Sequence, residues 1–548
     1  MHRQSIKFSR VVLLTAAVLP LNSSAAALSG PDRGIPRPES TAPTAGERAI
    51  VALSATELAR RIAARELSSV QVVRAFVGQI ARHNSTYNAI VLLDLDAALE
   101  RAKAADEALA RGEVWGPLHG VPVTVKDTYA TRGLRTTAGD PALVNHIPQE
   151  DAVAVALLRR AGAIVLAKTN AATLAMDMQT TNSIFGTTNN PWNVNMTVGG
   201  SSGGCAAAVA THMSPLSFGS DIAGSIRLPA AYAGIWGLRP THGVISFRGH
   251  IPPKPGEVDG IRTMAVLGPL ANRVEDLELA LSVLAQRSPE DATVAPLRER
   301  TPAPASVAGL RLAYMDELGG VPVSREVADA LQRVVETLRA AGATVEKAQP
   351  KDFSYQRTWE TWGELVGMQG GYERSNLARR VGSLFAKGSV ADIPHQRKIL
   401  DPISVEGYMR ALTEQATQTN ALEHFLADYD GWIVPVASLP AFPHHAPSRT
   451  LGIYNVYNNP LRVDDKAVPY YVVTQSYATL FSVTEGPVIS MPAGLSAQGM
   501  PIGLQLVGRR YDDWRLLGVA KAMEPLLDKL RPQRWVADQA TAGTSASR

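Results

Sequence analysis

Leu58, Ile62, Leu67, Val70, Val73, Phe76 and Ile80 follow one another three to five residues apart, which predicts an amphipathic helical stretch. Just ahead of them, Ser54-Ala-Thr-Glu57 has the form of a capping box. An Ala-rich segment over residues 95–110 predicts a second helix. The pattern then changes. Gly120-Val-Pro-Val-Thr-Val-Lys-Asp127 and Gly162-Ala-Ile-Val-Leu-Ala-Lys168 are short apolar runs that read as strands, the second preceded by a helix over 152–161. Further helical patterns cover 203–213, 323–341 and 405–427. Strands alternating with helices predict an α/β layer architecture.

Between residues 178 and 200 the chain turns polar and irregular, yet Ile184, Phe185 and Trp192 give it apolar anchors. A loop of that length in a compact domain is expected to be functional. The region holding Trp359, Trp362, Met368 and Tyr372 has a mixed character, open to two readings: ordinary packing, or an insert facing a substrate.

The two ends read differently from the middle. Arg3, Lys7 and Arg10 precede an apolar run over 11–21 and an Ala25-x-Ala27 exit, the form of a cleavable export signal over 1–27. That run is shorter than the ~20 residues a spanning helix needs, so no membrane span is expected once it is removed. Residues 28–49 carry four prolines and read as a flexible linker, with a folded domain over 50–536 and a small, polar, disordered tail over 537–548. Export to the periplasm or the medium is the expected destination.

Composition narrows the function classes. Of 548 residues, 45% are hydrophobic and 19% charged, which excludes disorder over most of the length. The net charge of +4 falls to +1 without the three basic residues of the leader, so nucleic acid is not an expected partner. Cys205 is the only cysteine, which excludes an intrachain disulfide and a thiolate-rich metal site.

Two glycine- and serine-rich stretches can carry chemistry. Gly199-Gly-Ser-Ser-Gly-Gly204 fits G-x-S-x-G twice, but a nucleophile elbow needs a buried strand before it and a phosphate loop needs a lysine after it; neither is present. The second stretch, Gly219-Ser-Asp-Ile-Ala-Gly-Ser225, places Ser225 after a turn of small residues whose N–H groups can converge on an oxyanion. No histidine stands in a recognisable triad order; His119, His212, His242 and His250 are scattered. Lys126 ends an apolar strand, where desolvation would bring its pKa toward neutrality and make it a base. It can equally be an ion-pair partner of Asp127 or Asp221, and spacing alone leaves both readings open.

The segments around Lys126, Gly199-Gly-Ser-Ser-Gly-Gly-Cys205, Ser220-Asp-Ile-Ala-Gly-Ser-Ile-Arg-Leu-Pro229 and Gly237-Leu-Arg-Pro-Thr241 together resemble the amidase signature family. The resemblance is supported by Ala167-Lys-Thr-Asn170, by Phe185-Gly-Thr-Thr-Asn-Asn-Pro-Trp-Asn193 and by Met500-Pro-Ile-Gly-Leu-Gln-Leu-Val-Gly-Arg509, and runs from about residue 52 to 525. It implies a single-domain α/β/α sandwich around a mixed sheet. It also implies a Ser-Ser-Lys relay with Lys126 as base, Ser201 as bridging serine after a cis peptide from Gly200, and Ser225 as nucleophile.

The oxyanion hole is then expected from the N–H groups of Ile222, Ala223, Gly224 and Ser225, and neither a metal nor a cofactor is required. Gly200, Phe185, Trp359, Trp362 and Tyr372 are the expected substrate-contacting residues, around an apolar acyl pocket. Ala223 replaces a frequent glycine, and Cys205 a frequent serine; the thiol is expected to pack rather than react. The function implied is amide hydrolysis to acid plus amine or ammonia through an acyl-enzyme. An esterase-active member and a catalytically inactive binding protein are the alternatives, and a homodimer is compatible with either.

Overall fold

The computed structural model describes residues 34–35, 43–300, 302–371, 375–386, 398–451 and 454–530. The expected leader over 1–27, the tail over 537–548 and Tyr372 lie outside the described residues.

Eleven strands form one mixed sheet. In chain order they are β1 (Ile90–Leu93), β2 (Pro122–Lys126), β3 (Ile164–Thr169), β4 (Leu216–Asp221), β5 (Trp236–Arg239) and β6 (Val266–Ala271). There follow β7 (Arg311–Tyr314), β8 (Thr344–Lys347), β9 (Gly431–Pro435), β10 (Val488–Leu495) and β11 (Pro501–Val507). Across the sheet the order is β1-β3-β2-β4-β6-β5-β10-β11-β9-β7-β8. The β3-β2-β4 and β9-β7-β8 groups are parallel, and the middle is antiparallel. β2, β4, β6 and β11 are buried at every position. Side chains alternate between faces along a strand, so such strands require cover on both sides, and helices supply it.

The fold begins earlier than expected. A helix spans Ala45–Val51, starting inside the expected linker, because Thr44 and Glu47 form a full capping box and Val51 is buried. The helical pattern from Leu58 to Ile80 divides into Ala55–Ala63 and Ser69–Tyr87. Arg65, with φ +59°, turns the chain between them, and Ser68 with Gln71 caps the second helix. At Ser54 only half of the predicted box forms: its hydroxyl accepts from the Glu57 N–H at 3.0 Å, while the Glu57 carboxylate turns to Arg60 and Arg61.

The polar loop over 178–200 is ordered by its amides. Asn182 accepts from the N–H groups of Ile184 and Phe185 and donates to Asn170 and the Ala171 carbonyl. No helix among the described residues is long and apolar enough to cross a membrane.

Candidate active site

β2 and β4 are adjacent and parallel, with Val125 opposite Phe218, so Lys126 and the Ser220-Asp221 pair emerge side by side at their C-terminal ends. In open α/β sheets such ends border the ligand crevice. Lys126 is fully buried and lies with Nζ 2.7 Å from Ser201 Oγ and 3.0 Å from Ser220 Oγ. No carboxylate pairs with it among the described residues. Asp127 faces Lys168 at 3.9 Å, and Asp221 holds Arg227 at 2.9 Å, which removes the ion-pair reading of Lys126. Burial lowers the Lys126 pKa to about 7, against a smaller opposing pull from Cys205 and Asp221.

Ser201 follows a cis peptide from Gly200. The bend is packed against the chain over 177–179: a Cβ on Gly200 would stand 2.6 Å from the Gln179 nitrogen and 2.8 Å from the Asp177 carbonyl. The Ser201 carbonyl accepts from the Ala172 N–H, and Thr180 Oγ1 donates to the Gly199 carbonyl. The segment before this loop is irregular, so the strand that an elbow needs is missing. Ser202 starts the helix Gly203–Ala210, and its N–H donates to the Ser225 carbonyl at 3.2 Å, which ties the two serine loops together.

The turn over 222–225 is organised by Asp221. One carboxylate oxygen accepts from the Gly224 N–H at 2.8 Å, and the other from the Ile226 N–H at 3.1 Å. Burial alone would raise this carboxyl, but Arg227, Arg239 and the Gly224 N–H outweigh it and hold it well below the usual range. The Gly224 N–H is therefore already used, which corrects the expected four-donor hole. The N–H groups of Ile222, Ala223 and Ser225 are left without an internal acceptor among the described residues. Gly224 takes φ +107° beside Ala478, while Ala223 stays outside the left-handed region, so the alanine is accommodated.

Ser201, Ser225, Ile222 and Ala223 border a cavity of about 160 Å³. Its other walls are mostly apolar, among them Met176, Met178, Phe247, Ile261, Trp362 and Val366. Of the expected substrate contacts, Trp362 is in the wall, and its Nε1 donates to the Ile222 carbonyl at 3.0 Å. That bond fixes the peptide plane carrying the Ala223 N–H.

Among the described residues, Trp359, Phe185 and Gly200 do not reach the wall. Trp359, one turn earlier on the helix Tyr355–Gln369, points into a separate cluster and donates to the Ser476 carbonyl. Phe185 packs with Val91 and Ile184, because Asn182 turns the loop inward there. Gly200 serves packing, as above. Cys205 is buried against Thr169 Oγ1 and the Phe218 carbonyl, and burial pushes its thiol up.

Ser220 and His250 also belong to the site, although nothing in their spacing along the chain marks a role for them. His250 reaches Ser220 Oγ at 2.9 Å from a loop after β5.

A glutamyl-tRNA(Gln) amidotransferase subunit of Thermosynechococcus vestitus is 32% identical over 489 residues, covering 85% of this chain and 96% of its own length. The structure of a fatty acid amide hydrolase superposes with a TM-score of 0.71 at 27% identity, over 88% of this chain and 87% of that one. That of a 6-aminohexanoate cyclic dimer hydrolase in complex with substrate gives 0.70 at 25% identity, over 89% and 99%. Residues 71–517 match the family described as Amidase, and with that match this lysine, these serine loops and this sheet belong to an amidase signature enzyme, an amidohydrolase of amide C–N bonds rather than a protease.

Proposed function

We propose that the enzyme cleaves amides of apolar carboxylic acids, with Ser225 as nucleophile, Ser201 as proton bridge and Lys126 as base. The observation that carries this reading is the 2.7 Å contact between Ser201 and a buried lysine that no carboxylate pairs with among the described residues. Neutral Lys126 accepts the Ser201 proton, Ser201 accepts that of Ser225, and Ser225 Oγ attacks the carbonyl carbon. The negative charge gathers on the carbonyl oxygen beside the free N–H groups of Ile222, Ala223 and Ser225. The proton returns to the leaving nitrogen, and water then cleaves the acyl-enzyme by the same route. The relay calls on no metal or cofactor, and the same groups suit esters.

The apolar cavity favours aryl or medium-chain acyl groups over small polar ones. The curated relative's name, which is that of an amidotransferase subunit, supplies a second reading, in which the amide nitrogen is transferred within an assembly of chains rather than released. A panel of aliphatic, aryl and amino-acid amides with matched esters separates the two. Turnover is expected to be fastest on aryl or medium-chain amides. A preference for free asparagine or glutamine would overturn the apolar assignment. On the best substrate kcat/KM is expected to rise with pH along a limb near 7, as Lys126 loses its proton; a profile flat from about pH 5 to 9 would remove Lys126 as base.

Export through residues 1–27 belongs to this proposal and rests on the sequence alone. Amino-terminal sequencing of the protein recovered outside the cytosol tests it, and an intact Met1 there would refute cleavage.

A further inference from the structure

The Lys126 amine has a second neighbour that the relay does not use. Ser220 Oγ lies 3.0 Å from Nζ, and His250 Nε2 stands 2.9 Å from the same oxygen. The other ring nitrogen, Nδ1, is 3.2 Å from the Pro252 carbonyl. A carbonyl only accepts, so Nδ1 carries the hydrogen of that bond. Burial, reinforced by the nearby Lys126 charge, brings the His250 pKa down to about 3, so the ring is neutral and its Nε2 bears a lone pair. The Ser220 hydrogen must then point at His250. With that single hydrogen committed, Ser220 meets Lys126 only as an acceptor.

We propose that His250 is a positioning residue that sets the direction of the proton relay, by turning Ser220 into an obligatory acceptor and so leaving the Lys126 lone pair for Ser201. A neutral amine has two hydrogens and one lone pair. One hydrogen goes to Ser220, and the lone pair is then free to receive the Ser201 proton across 2.7 Å. When Lys126 becomes an ammonium, Ser220 still faces it with a lone pair and stabilises the charge. Without His250 the Ser220 hydroxyl is free to rotate, donate to the Lys126 lone pair and compete with Ser201 for it.

The inference rests on the Lys126 base proposed above. The titratable and charged groups around the pair are Cys205 and Asp221 toward Lys126, and Lys168 with the ring of Tyr129 toward His250. Phe247 lies against the imidazole at a centroid distance of 4.4 Å, its ring tilted by 34°.

The test compares the pH profiles of wild type, H250L, H250Q and Ser220→Ala, with the H250L/S220A double variant. In H250L the plateau kcat is expected to fall roughly tenfold, the scale of one competing hydrogen bond. Its acid limb is expected to move to lower pH, because a donating Ser220 stabilises the neutral amine. H250Q, which retains an acceptor, is expected to recover most of the rate. In the Ser220→Ala background, H250L is expected to cost nothing further. A purely structural His250 gives the opposite pattern: a limb moved upward as water relieves the burial of Lys126, no rescue by glutamine, and additive losses. Any of these three, or an unchanged H250L, overturns the proposal.

The wild-type limb and the Lys126→Met variant are measured alongside. A wild type with no limb, or an active Lys126→Met, refutes the lysine base itself; an intact limb with an unaffected H250L refutes His250 alone. Should H250L fail to fold, nitrogen-15 shifts of the wild-type histidines decide. A His250 ring protonated only at Nδ1 between about pH 5 and 9 supports the assignment, and a proton on Nε2 in that range overturns it.

Discussion

Ser225→Ala is expected to lower kcat by roughly 10⁴-fold or more, the scale seen when a serine nucleophile is deleted from a working relay. The neighbouring hydroxyls offer no replacement, because Ser201 and Ser220 are both committed to the Lys126 amine. Folding is expected to be little affected: the buried Ser225 side chain makes no hydrogen bond among the described residues, so its removal leaves no partner unpaired. Hydrolysis of the best amide, followed with urea unfolding of the same preparation, checks both halves. Turnover that survives Ser225→Ala but disappears in Ser201→Ala would move the nucleophile into the Gly/Ser loop.

The largest effect on stability is expected at Arg227. Its guanidinium is fully buried, bonds both oxygens of Asp221, and donates to the Ala478 carbonyl at 2.8 Å and to Ser482 Oγ at 3.0 Å. Arg227→Met leaves an ionised carboxylate in the interior with its main counter-charge gone, a change that costs about 3–5 kcal/mol. The pH dependence has a definite sign. In the wild type the Asp221 pKa lies well below its unfolded value, so the carboxylate stabilises the fold above that unfolded value and the contribution is lost only in strong acid. In the variant the folded pKa rises above the unfolded value, so the penalty is full at neutral pH and is relieved as the carboxyl takes up a proton on acidification. Urea unfolding at about pH 8 and about pH 5.5 is expected to show a smaller deficit at the lower pH. An equal deficit at both would refute the electrostatic origin of the loss.

Much of the site was legible in the chain, and the parts that were not share a cause. Lys126 could be placed because an apolar strand ends on it, and Ser201 and Ser225 because the glycines around them form recognisable loops. Whether Lys126 pairs with a carboxylate was undecidable from spacing, since the answer depends on Arg227 and Lys168 taking Asp221 and Asp127. Trp359 and Trp362 lie one turn apart on the same helix, yet only the second reaches the cavity; the difference is set by the helices packed around them. Phe185 was drawn inward by Asn182, and the Gly224 N–H was taken by Asp221, both through side chains whose partners lie in folded loops. The helix at Ala45–Val51 was hidden by the prolines before it, although its Thr44-Glu47 cap is local.

The chain order of the site confines the proton machinery to one half of the gene product. Lys126, Ser201, Ser220, Ser225 and His250 all come from the first half, whereas the cavity wall is shared: Met176, Met178, Phe247 and Ile261 come from the first half and Trp362, Val366, Gln369, Ile399, Tyr471 and Gln475 from the second. Mutational drift in the later segments can therefore reshape what is accepted while leaving the proton machinery intact. Trp362 is the exception, since its indole holds the Ile222 carbonyl and so touches both tasks. A lineage that changes diet through this wall meets its strongest restraint at that one tryptophan.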